Sequence, residues 1–117
     1  MENQAETVVL CGANSYEEKF YMNPDFLRLP EAVRQELQIM CVLFTEEVGG
    51  ILTLEFMRDG ALVLKTMADD YVYYFDDIEA GLQIRKLRKE KEELFESLEE
   101  YYRTFVLKGR DPYAPEE

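Results

Sequence analysis

The chain has 117 residues, of which 47% are hydrophobic and 13% aromatic, with a formal net charge of −12 and no histidine. That length suits one domain able to bury roughly two thirds of its unfolded surface, and the apolar content is too high for a disordered chain of this charge. Strong acidity argues against nucleic acid or anionic membrane as partners, while the missing histidine removes Ser-His and Cys-His nucleophilic pairs, imidazole bases and His-containing metal sites.

The opening residues, MENQAETVV, carry no basic segment ahead of an apolar run, so no secretory signal is expected. The longest apolar run, IMCVLF, falls far short of the roughly 20 residues that cross a bilayer. A cytoplasmic protein is expected. Cys11 and Cys41 lie in apolar surroundings without CxxC spacing and read as reduced thiols packed in a core.

Residues 7–12, TVVLCG, are β-branched and apolar and predict a short buried strand. GANS supplies a turn, and Tyr16, Glu18, Phe20 and Met22 then alternate with Glu17, Lys19 and Tyr21 to complete a hairpin. Pro30 before Glu31 opens a helix, because proline is pre-organised for the first helical turn. Val33, Leu37, Met40, Cys41, Phe44 and Val48 fall on one face of it, and Gly49 with Gly50 closes it. IMCVLF is apolar all round, so this half of the helix should be covered on more than one side; a strand over 38–45 is the competing assignment.

ILTLEFMRDGALVLKTM reads as two strands about a two-residue Asp59-Gly60 turn. That loop pairs Arg58 with Ala61 and Phe56 with Val63, and places Leu52, Leu54, Phe56, Val63 and Met67 on one face. Asp76 and Glu79 fit a capping box, from which a last helix should run to about Leu107.

Within that helix Ile84, Leu87, Lys91, Leu94, Leu98, Tyr101 and Phe105 alternate three and four apart, a coiled-coil-like seam broken only by Lys91. About 31 residues at 1.5 Å each make a rod near 46 Å, longer than a compact domain of roughly 35 Å, so part should overhang and seek a partner. Arg85, Lys86, Arg88, Lys89 and Lys91 precede Glu92, Glu93, Glu96, Glu99 and Glu100, so two antiparallel copies would set plus against minus. Those seven seam residues are the candidate self-association contacts of an antiparallel homodimer. Five basic residues interrupted by Glu90, with no interleaved aromatic to stack on bases, are a poor nucleic-acid grip.

The predicted fold is therefore α+β: an antiparallel four-stranded sheet in the order strand-strand-helix-strand-strand-helix, with a long C-terminal amphipathic helix. Residues 1–107 form a single domain and 108–117 a flexible acidic tail. No catalytic residue and no cofactor is assigned. The expected role is a small acidic non-enzymatic protein-protein interaction module, self-associating or binding another protein. The alternative is a ligand-binding domain or carboxylate-based divalent-metal enzyme using Asp69, Asp70, Asp76 and Asp77, since hard cations take carboxylate oxygens.

ETVVLCGANSYEEKFYMNP, IMCVLFTEEVGG and KEKEELFESLEEYY resemble a family of small bacterial proteins known as a domain of unknown function. The resemblance covers nearly the whole chain. It implies a bacterial cytoplasmic origin and carries no catalytic or binding residue with it.

Overall fold

The computed structural model describes residues 7–68 and 77–107. Four strands, β1 (Val8–Asn14), β2 (Lys19–Met22), β3 (Ile51–Phe56) and β4 (Leu62–Met67), form one antiparallel sheet in the order β2-β1-β3-β4. Helix α1 (Glu31–Val48) separates the two hairpins, and α2 (Asp77–Glu90), α3 (Glu92–Tyr101) and a π-helical turn (Tyr102–Leu107) follow.

β1 is central because its apolar run can be buried on consecutive residues. A bulge between Val9 and Cys11 lets both Leu10 and Cys11 be fully buried, which strict alternation would forbid. A Cβ on Gly12 would stand 2.7 Å from the Leu52 carbonyl oxygen, so this close approach requires glycine. The first turn lies later than the sequence pattern places it. β1 continues to Asn14, whose Oδ1 accepts from the backbone N–H groups of Tyr16 and Glu17, so Tyr16 is in the turn and not in β2.

α1 forms where its apolar stripe predicts, with Leu37, Met40, Cys41 and Phe44 buried on the sheet, and the competing strand over 38–45 does not form. Its second half is not covered all round: Ile39 and Leu43 are 60% and 58% exposed.

The β3–β4 hairpin corrects the two-residue turn. Met57 N–H donates to Ala61 O at 2.7 Å and Gly60 N–H to Met57 O at 2.9 Å, so the loop is Arg58-Asp59-Gly60, with Gly60 at φ 93°. This is a type I turn followed by a left-handed glycine. Phe56 therefore pairs with Leu62 and Leu54 with Leu64. A one-residue slip turns a whole strand over. Leu62 is buried in the core, while Val63 moves to the other face and Met67 is 65% exposed there.

That outer face gathers around Glu55. Its carboxylate accepts from Thr7 at 2.6 Å and from Thr53 at 2.8 Å, and pairs with Lys65 at 3.0 Å.

The long C-terminal helix is corrected as well. Lys91, at φ −112° and ψ 27°, lies outside helical geometry and divides the run into α2 and α3, so the order is strand-strand-helix-strand-strand-helix-helix. Lys91 N–H still reaches Leu87 O and Phe95 N–H reaches Lys91 O, both at 2.9 Å, so one helical bond is kept on each side of the bend. The bend lays α3 onto the molecule's own core. Phe95, Leu98 and Tyr102 are buried, and Tyr102 stacks on Phe56 with ring centroids 4.2 Å apart and Phe26 beside both. The π-helical turn keeps the chain helical past that stack, with Phe105 emerging 67% exposed.

Asp69, Asp70 and Asp76, the capping box at Asp76 and the acidic tail 108–117 lie outside the described residues. Among the described residues no helix is long and apolar enough to cross a membrane.

Candidate interaction surface

α1 and α2 leave between them a groove of about 610 Å³. Its apolar floor and walls come from Ile39, Met40, Leu43 and Phe44 of α1 and Leu87 of α2. Helical spacing explains why α1 supplies two kinds of residue to it. Met40 and Phe44 belong to the stripe that faces the sheet, whereas Ile39 and Leu43, one position earlier, stand on the flank that no strand reaches.

The rim is charged, and the two sides differ in sign. Glu36 and Glu47 stand on α1, and Lys86 and Lys91 stand on the α2 side, with Glu90 beside them. Lys91 closes one end through an ion pair with Glu36 at 3.0 Å. Around the groove, α1 ends in Glu46 and Glu47, while the last turns of α2 carry Arg85, Lys86, Arg88 and Lys89. Among the described residues Glu47 and Lys86 have no ion-pair partner. The surface thus joins exposed apolar side chains to uncompensated charges of both signs.

The seven seam residues are not brought together as one stripe. Leu98 is 2% exposed and belongs to the core, so it cannot meet a second copy while the chain is folded. Ile84, Leu87, Leu94 and Tyr101 are half-buried against that core, and Leu87 also lines the groove. Lys91 is spent on Glu36, and Phe105 projects beside Tyr101, their ring centroids 5.3 Å apart. The bend at Lys91 leaves Ile84, Leu87, Leu94, Leu98 and Tyr101 packed on the molecule's own core.

The charges around it also have internal tasks. Glu99 Oε2 accepts from the Leu62 backbone N–H at 2.8 Å, Arg88 donates to the Leu62 carbonyl at 3.2 Å, and Arg103 donates to the Asp59 carbonyl at 3.1 Å. Leu62 begins the edge strand β4, so the first two contacts satisfy groups that an edge would leave open. Arg88 also stands over the Phe95 ring, 5.8 Å from its centroid. Sequence reasoning missed these tasks because each joins residues 26 to 44 positions apart. It missed the Ile39–Leu43 flank for a different reason: an all-round apolar helix segment signals burial on every side.

Of the four aspartates proposed for a metal, only Asp77 is described, at the exposed start of α2. Among the described residues no group of three or more Cys, Asp and Glu side chains could hold a metal ion. Cys11 and Cys41 are free, buried thiols whose sulfur atoms stand 4.0 Å apart.

A family profile described as a family of unknown function (DUF6145) matches residues 7–110. The chain belongs to this family. No curated protein and no solved structure matches the chain. The match runs from just before β1 to beyond the π-helical turn, so the α1–α2 groove lies wholly inside the matched residues.

Proposed function

We propose that this DUF6145 protein is a non-enzymatic protein-protein interaction module that self-associates through the α1–α2 face. The observation that carries the reading is the pair Ile39 and Leu43, more than half exposed at the lip of an apolar groove and flanked by charges of opposite sign that have no ion-pair partner among the described residues. Water-exposed leucine and isoleucine side chains gain roughly 1.5 to 3 kcal/mol each when fully covered, whereas a surface ion pair contributes about 0.2 to 1 kcal/mol. The apolar residues supply affinity and the charges choose the partner.

A second copy fits those charges. In a two-fold arrangement the same patch meets itself, so α1 of one copy lies over α2 of the other. The acidic side of the rim, on α1, then opposes the basic side, on α2, twice over. This moves the contact from the C-terminal seam to the groove, keeping Leu87 and Lys91 from the original set.

Light scattering at micromolar concentration tests the reading. A dimer mass is expected for the native chain and a monomer mass for Leu43→Glu, with its melting temperature kept because Leu43 is exposed. A monomer mass for the native chain would overturn the proposal.

A further inference from the structure

Cys11 and Cys41 are presented to each other by different layers of the fold, β1 in the middle of the sheet and α1 above it. Their sulfur atoms are 4.0 Å apart across 30 positions of sequence, and both residues are wholly buried. A disulfide needs an S–S distance of about 2.0 Å, so closure asks the two sulfur atoms to approach by roughly 2 Å, through rotamer adjustment and settling of α1 on the sheet.

We infer that Cys11 and Cys41 form a latent intramolecular disulfide, which closes when a small-molecule disulfide of the glutathione type oxidises the pair and reopens by thiol exchange. One cysteine thiolate attacks a sulfur of the small disulfide, forming a mixed disulfide and releasing one small thiol. The second cysteine thiolate then attacks the protein sulfur of that mixed disulfide, forming the Cys11–Cys41 bond and releasing the second small thiol. The two electrons and two protons lost by the pair reside at the end on the two small thiols.

The surroundings set the rate and the direction of this exchange. The hydrogen bond with Cys41, and burial after it, push the Cys11 thiol far above its ordinary pKa, so it stays protonated and unreactive in the closed core at neutral pH. Reaction therefore waits for α1 to lift from β1, a local opening, and is slow. Once formed, the bond ties together a segment that contains β2 and the first half of α1, which restricts the unfolded chain more than the folded one. Closure should thus be slow, reversible and stabilising. It does not depend on whether the α1–α2 face self-associates.

The test is a redox titration of the full chain in glutathione buffers, with and without denaturant so that both thiols are reached, read by mass after acid quenching. The native chain is expected to lose two hydrogens, at an oxidant ratio about tenfold or more lower than the denatured chain requires. The oxidised form should also melt higher than the reduced one, and Cys41→Ser should show no such closure. A native chain that needs the same or a higher oxidant ratio than the denatured chain overturns the inference. So does one that takes up only glutathione adducts or links to a second copy.

Discussion

Glu55 shows how a single carboxylate can hold a sheet face together. Partial burial opposes its charge, but the hydrogen bonds from Thr7, Lys65 and Thr53, with the Lys65 charge, more than offset that and hold its pKa below the ordinary glutamate value. A depressed folded pKa means that the stabilisation is complete above the unfolded value, about 4.3, and is lost as pH falls through the lower folded one. Denaturant midpoints measured from neutral pH into this acid range should fall more steeply for the native chain than for Glu55→Gln. Parallel curves would remove the carboxylate from the account. Gly60, like Gly12, is a residue whose identity the fold demands. Its φ of 93° and the 2.6 Å from a built Cβ to Arg103 Cγ mean that Gly60→Ala should cost about 1 to 2 kcal/mol from the left-handed backbone alone. Urea denaturation measures that cost, and a neutral result would show that the turn relaxes.

At the scale of elements, the C-terminal helices are the informative case. A heptad pattern with one lysine in it is compatible with a straight overhanging rod or with two helices bent around a core. The aromatic stack decides between them: Tyr102 on Phe56 and Phe26 draws α3 down, and Lys91, which no apolar site would accept, becomes the bend and reaches Glu36. Leu98→Ala should therefore cost about 2 to 5 kcal/mol of folding stability, as a cavity in a core does. Lys91→Ala should cost about 1 kcal/mol or less, since its ion pair is partly exposed. Comparable costs at the two sites would contradict the placement of α3. The strands tell a similar story. DG flanked by apolar runs correctly announced a hairpin, but loop length, and with it the face of every β4 residue, turned on whether Leu62 or Val63 met Phe56. Burying Leu62 and Leu64 beside Leu52, Leu54 and Phe56 gathers the larger side chains on one face, which favours the three-residue loop.

For the molecule as a whole, all three helices lie on the sheet's inner side or on each other, and the flank of α1 at Ile39 and Leu43 is left to solvent. Association through this face should respond to charge as well as to apolar area. Lys86→Glu should weaken the dimer several-fold, and so should raising the salt concentration through the range where the Debye length falls from about 10 Å to 3 Å. Sedimentation equilibrium reads both. Insensitivity to salt together with full tolerance of Lys86→Glu would reject the proposed pairing of acidic α1 with basic α2.

By itself the sequence determined the class of the fold, the four strands, the position and buried stripe of α1 and the absence of histidine chemistry, because these follow from local periodicity, turn residues and composition. Only the tertiary structure decided the register of β4, the bend at Lys91 and the meeting of Cys11 with Cys41. Each is settled by which distant side chains can be packed together. The groove has the same origin: a flank of α1 is exposed or covered according to where its neighbours end, and no stretch of the helix contains that information.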